Sequence, residues 1–121
     1  MKRFFKSLRY ALHGWKLFFK TERNGQIQLA SAILVVILSF LLRLHVYEWI
    51  IIIICIALVL SFEMANSAIE KLIDHLHPDH HHIIKWIKDV AAGAVLWSAV
   101  MSAIIAAIIL IPKIISLFFS I

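Results

Sequence analysis

Apolar residues recur at steps of three and four from the start of the chain: Phe4, Phe5, Leu8, Ala11, Leu12, Trp15, Phe18 and Phe19, with Lys and Arg between them. That period predicts an amphipathic helix over 1–24 lying on a membrane surface, its cationic face drawn to anionic headgroups. The pattern then changes. From Ile27 the apolar run is interrupted, up to Leu42, only by Gln28, Ser31 and Ser39, and with its flanks it predicts a first transmembrane helix over 27–44. Gly25, in the stretch ERNG, offers the bend that precedes it. A second span is predicted over 47–72, opening on the interfacial aromatics Tyr47 and Trp49 and containing the uncharged WIIIIICIALVL. A third is predicted over 90–111, ending at Pro112. Each reaches the roughly 20 residues that cross about 30 Å of hydrocarbon. Between the second and third lies HLHPDHHHIIKWIKD, with Pro78 marking a turn.

Composition sharpens this reading. The 121 residues are 63% hydrophobic with a mean hydropathy of +0.95, far above a soluble domain. An all-α membrane protein with one integral domain, 1–121, is expected. Cys55 has no second cysteine, so no disulfide or cysteine-based zinc site forms within one chain, and it reads as packing. The net charge of +5 is a matter of topology and not of nucleic acid. Seven of the twelve basic residues (Lys2, Arg3, Lys6, Arg9, Lys16, Lys20 and Arg23) precede the first apolar run; Arg43 stands alone in the first link, Lys71, Lys85 and Lys88 fall in the second, and Lys113 in the tail. By the positive-inside rule the N-terminus is cytoplasmic and the chain crosses three times. The basic first 25 residues hold no uninterrupted apolar core, so no cleavable signal peptide is expected.

The chemistry lies in SFEMANSAIEKLID, Ser61 to Asp74. At about 100° and 1.5 Å per residue, Glu63, Asn66, Glu70 and Asp74 fall within one stripe less than a quarter-turn wide. Ionisable groups inside a span cost on the order of 3 kcal/mol, so they face a protein interior and serve a function. The alternative is that the helix has left the membrane by Glu63 and the acids are solvated; this fits Asp74 better than Glu63. Three crossings bring TERN (Thr21 to Asn24), the stripe, and Lys88 with Asp89 to one leaflet. Converging carboxylates suit a hard divalent cation, which completes its shell with phosphate oxygens and water. A lysine beside them adds a point charge for phosphate. The set suggests phosphoryl transfer, although the soluble-kinase devices (a P-loop, a Gly-rich nucleotide loop, V-A-I-K, H-R-D, D-F-G) are all lacking.

E-M-A-N-S-A-I-E (Glu63 to Glu70), followed by I-K-D-V-A-A-G-A-V (Ile87 to Val95) and preceded by T-E-R-N, resembles the prokaryotic diacylglycerol kinase and undecaprenol kinase family, and the likeness covers nearly the whole chain. The resemblance implies a small helix-swapped homotrimer in the bacterial inner membrane that transfers the γ-phosphate of ATP, with Mg2+, to a lipid hydroxyl at sites shared between subunits. It implies Glu63 as general base, Glu22 and Glu70 as metal ligands, and Asn66, Lys88 and Asp89 as residues that orient the base and hold the phosphates. More loosely, it implies nucleotide contacts at Arg3, Lys6 and Tyr10 on the surface helix and at Asp79, His80 and His81 in the second link.

The diacylglycerol subgroup carries F-R-Q-E after the first acidic motif, whereas this chain reads N-G-Q-I-Q, with Gln26 and Gln28 in the Arg and Glu places. That departure and T-E-R-N favour undecaprenol over diacylglycerol as substrate. Two rivals remain from the residues alone. His75, His77, His80, His81 and His82 could ligate a transition metal, or be interfacial histidines. A carrier using Glu63 and Glu70 would need polar groups across the membrane, yet the third span offers only Ser98, Ser102 and Trp97. Gly93 with Ala91, Ala92, Ala94 and Ala99 forms a small-residue face suited to close helix packing.

Overall fold

In the computed structural model the described residues, 1–76 and 81–120, form four helices: α1 (Lys2–Thr21), α2 (Arg23–Leu41), α3 (Val46–Leu76) and α4 (His82–Phe119). Three of them, α2, α3 and α4, are long and apolar enough to cross a membrane. Large side chains such as Leu96, Trp97, Ile108 and Phe118 point outward, which only lipid or another protein surface tolerates over so wide an area. The protein is an all-helical membrane protein.

The break between α1 and α2 falls at Glu22, not at Gly25. Glu22 is extended (φ −96, ψ 113) and α2 begins at once with Arg23. Two side chains take up carbonyls at the end of α1: Gln26 Nε2 donates to Phe19 O at 3.0 Å and Lys20 O at 3.2 Å, and Thr21 Oγ1 donates to Leu17 O. Gly25 is helical. It is needed because the Phe18 ring packs where its Cβ would be: a methyl there would meet Phe18 Cε2 and Cζ at 2.5 Å. A close approach, and not a turn, accounts for this glycine.

α2 ends earlier than the predicted 44. Leu44 N–H bonds to Ser39 O and Arg43 N–H to Phe40 O, the paired bonds of a Schellman cap, and Arg43 sits in the left-handed region at φ 54. Four residues suffice for the turn because Glu48 Oε1 reaches back to accept from His45 N at 2.9 Å, half of a capping box at the start of α3.

The helix that contains the third span extends beyond it at both ends. α4 starts at His82, capped by His81 Nδ1, which accepts from Ile83 N, so Lys85, Lys88 and Asp89 are helical and not part of a link. α4 also runs through Pro112 to Phe119. Proline removes one helix hydrogen bond, but tertiary contacts on both sides hold the axis. Leu110 packs with Leu44 and Ile52, with Ile109 and Ile114 against them, and Lys113 Nζ lies 3.1 Å from Glu48 Oε1.

Candidate active site

The pairs Glu48–Lys113, Ile52–Leu110 and Asp74–Lys88 fix one antiparallel register of α3 against α4. This register orders the polar groups along the bundle. α3 rises about 46 Å against about 30 Å of hydrocarbon. With Tyr47 and Trp49 at one boundary, the other falls about 20 residues on, near Asn66. Glu63 therefore lies just inside the apolar layer and Glu70 and Asp74 just outside it.

Exposure follows the same order. Glu63 is 4% exposed and Asn66 8%, Glu70 is half-buried, and the Asp74 side chain is 63% exposed. The register sets Ala99 and Ala92 of α4 level with Glu63 and Glu70, but the buried residues of α4 at this height are Val95 and Ser98; Ala92, Gly93 and Ala94 are exposed, and nothing lies within 4 Å of a Cβ at Gly93, so the small-residue face expected to pack does not do so within the chain. Gln28 Nε2 of α2 donates to Glu63 Oε2 at 3.2 Å. Asn24 also approaches this carboxyl, and the carboxylates of Glu22 and Glu70 are near enough to repel it. Asn66 Oδ1 and Gln28 Oε1 are buried without a hydrogen-bond partner.

Two grooves flank this group. An apolar one of about 310 Å³ runs between α2, α3 and α4, with Gln28 at its polar end and Val35, Ile52, Cys55 and Ala103 among its walls. Another, of about 470 Å³, lies between α1 and α3 and is lined by Gly14, Thr21, Glu22, Ser67 and Lys71. Glu63 touches the first through Gln28 and neighbours the second through Glu22. Glu63 itself lines neither groove.

The other residues singled out in the sequence are placed as follows. Glu22 pairs with Lys71 Nζ at 3.1 Å. Lys88 Nζ lies 2.5 Å from Asp74 Oδ1 and Lys85 Nζ 2.6 Å from Asp89 Oδ2, so the polar contacts of Lys88 and Asp89 are to these partners and not to the glutamates. By the helix rise, Lys88, level with Asp74, stands about 6 Å beyond Glu70 and about 16 Å beyond Glu63 along the axis. Arg3 and Tyr10 are exposed on α1 without side-chain partners among the described residues. His81 caps α4. His77, Asp79 and His80 lie outside the described residues. Among the described residues no three His, Cys, Asp or Glu side chains gather at metal-binding distance. Magnesium takes one or two carboxylates, with phosphate and water completing the shell; of the two expected ligands, Glu22 is paired with the Lys71 ammonium and Glu70 is half-buried.

Sequence reasoning did not select Gln28 or Lys71 as site residues. Gln28 carries one local signal, being the lone amide in an otherwise apolar run; Lys71 carries none, since its partner is 49 positions earlier in the chain.

Known proteins resemble this chain over most of its length. The family model for prokaryotic diacylglycerol kinase matches residues 9–110. The chain is 43% identical to undecaprenol kinase from Bacillus subtilis over 113 residues, covering 93% of this chain and 92% of that one. It is 33% identical to a diacylglycerol kinase from Synechocystis sp., covering 92% of this chain and 64% of the relative. It is 31% identical to a diacylglycerol kinase from Helicobacter pylori, covering 86% and 81%. With three membrane-crossing helices, an acidic stripe at one end of them and this extent of similarity, the chain belongs to the prokaryotic diacylglycerol kinase family.

Proposed function

We propose that the protein transfers the γ-phosphoryl group of ATP to the hydroxyl of a membrane lipid, and that undecaprenol is that lipid. The observation that carries the reading is the axial order of groups: apolar groove, Glu63, Glu70, then Lys88. The lipid hydroxyl rises along the groove to Glu63, whose carboxylate takes its proton as the alcohol oxygen attacks the γ-phosphorus. The bond from the γ-phosphorus to the β,γ-bridging oxygen breaks, and ADP leaves on the polar side. Magnesium, when bound, neutralises charge on the transferring phosphates. Glu22 and Glu70 would hold it, with Glu22 released from Lys71. Asn66 orients the reacting groups with its free buried oxygen. Lys88 and Asp89, exchanging their present partners, hold the outer phosphates. Arg3, Tyr10, Asp79, His80 and His81 complete the nucleotide contacts.

The basic residues before α2 support a cytoplasmic N-terminus, on the side where ATP is available. A helix-swapped homotrimer is proposed because α2, α3 and α4 leave wide apolar surfaces uncovered and because Lys88 and Asp89 do not join the glutamates of their own chain; a neighbouring subunit can supply what one chain lacks. Undecaprenol is favoured by Gln26 and Gln28 and by the 43% identity to a kinase of that name. Diacylglycerol is the second reading, supported by the names of the Synechocystis and Helicobacter relatives.

The test is phosphorylation of lipid by purified enzyme with labelled ATP. Removing a general base costs typically 10²- to 10⁴-fold, so Glu63→Gln should lose turnover by that factor while still binding ATP with Mg2+. Glu22→Gln and Glu70→Gln should weaken the nucleotide–metal step. Wild-type turnover in Glu63→Gln would overturn the assignment. Undecaprenol and diacylglycerol offered in competition decide the lipid by the labelled product.

A further inference from the structure

We infer that Gln28 is a positioning residue for the transfer reaction, an amide that holds the Glu63 carboxyl in both its states, before and after it takes the proton. The inference rests on the reading of Glu63 as the base.

The geometry is specific. Among the described residues, Gln28 is the one side chain that both lines the apolar groove and hydrogen-bonds Glu63. Its amide gives Nε2 to Glu63 Oε2 at 3.2 Å, which leaves the other carboxyl oxygen free to receive a proton. Its own Oε1 is buried and has no partner. An orphaned buried acceptor is destabilising, whereas an apolar side chain of the same shape at that place carries no such penalty. A chain selected for stability alone would carry an apolar residue here, as it does at most other positions of this span.

An amide, unlike any apolar or acidic side chain, offers two donors and an acceptor from one planar group. Before transfer Glu63 is a carboxylate, and the amide N–H is its correct partner. After transfer Glu63 carries the alcohol's proton as a carboxylic O–H, and Oε1 becomes the correct partner through rotation of the amide about its terminal bond. No atom is gained or lost by Gln28: the proton passes from the alcohol to Glu63 alone. Glu22 and Glu70 are acids and offer the carboxylate no donor, and Asn24 and Asn66, though amides, do not line the apolar groove as Gln28 does.

The experiment compares Gln28→Met, nearly isosteric and without hydrogen bonds, and Gln28→Asn, which keeps the amide but withdraws it by one methylene, with the full-length enzyme in detergent. Steady-state turnover, KM for ATP and thermal midpoint are measured for each. Gln28→Met should lower kcat about 10- to 100-fold, in line with a lost orientation at the reacting centre, leave KM for ATP within about twofold, and leave the thermal midpoint unchanged or higher. Gln28→Asn should fall between. In a Glu63→Gln background, Gln28→Met should cause no further loss, since the two act as one unit. The inference is overturned by kcat within twofold of wild type in Gln28→Met, by a midpoint that drops together with kcat, or by an equal further loss on top of Glu63→Gln. Full activity of Glu63→Gln alone refutes instead the base assignment on which it rests.

Discussion

Gly25→Ala separates stability from activity at the α1–α2 junction. The added methyl would lie 2.5 Å from Cε2 and Cζ of Phe18. Carbon pairs sit at about 3.5–4.0 Å, so the ring must retreat by roughly 1 Å. Phe18 is 7% exposed and cannot simply swing away. Overpacking of this kind costs about 1–3 kcal/mol, while alanine in a helix gains up to about 1 kcal/mol over glycine, so the net loss of stability is about 0–2 kcal/mol. The larger effect is on position. Glu22 N–H bonds to Phe18 O at 2.9 Å, and Glu22 is the single residue between the two helices. Passed on through the Phe18 backbone, such a shift would move the last turn of α1, and Glu22 with it. Misplacement by about 1 Å can cost 10²-fold in rate. Lipid phosphorylation by Gly25→Ala should therefore fall about 10- to 100-fold with a raised Mg2+ requirement, while the melting curve in detergent moves little. Phe18→Leu in the same background removes the clashing ring atoms and should restore most of the lost rate. Wild-type turnover and Mg2+ dependence in Gly25→Ala, or no recovery on adding Phe18→Leu, would refute the close approach as what sets Glu22.

Three further outcomes are expected. Arg43→Gly relieves a left-handed residue that costs about 1–2 kcal/mol with a side chain, offset in part by the entropy of an unfolded glycine, and should raise stability by up to about 1 kcal/mol in a denaturation series; a lower midpoint contradicts the strain. Gln26→Ala deletes the cap on Phe19 and Lys20 carbonyls and should cost about 1 kcal/mol, read as faster amide exchange confined to the last turn of α1. Lys71→Met removes a surface ion pair worth about 0.2–1 kcal/mol. The Mg2+ concentration for half-maximal activity should then drop by about 1.4- to 5-fold, and Mn2+ binding followed by electron paramagnetic resonance should tighten equally; no change in either would mean that Lys71 does not compete for Glu22.

Much of this protein is legible one residue after another along the chain. Three long apolar runs require helices in a membrane, because backbone groups in hydrocarbon must bond within their own segment. The spacing of Glu63, Asn66, Glu70 and Asp74 puts them on one stripe whatever surrounds them, and the motif around them marks the family. What the sequence misplaced are the points where local signals compete with packing. Gly25 reads as a bend and serves a ring contact; Pro112 reads as a helix end and is carried through by Leu110, Lys113 and Ile114; His82 to Asp89 read as a link and are helix. Propensity describes one segment in isolation, and each of these outcomes is decided by atoms from another segment. The same holds for the contacts across long stretches of chain: Gln28 on Glu63, Lys71 on Glu22, Lys113 on Glu48. None leaves a periodic trace, since a hydrogen bond or ion pair between residues tens of positions apart exists only once the helices have packed in a single register.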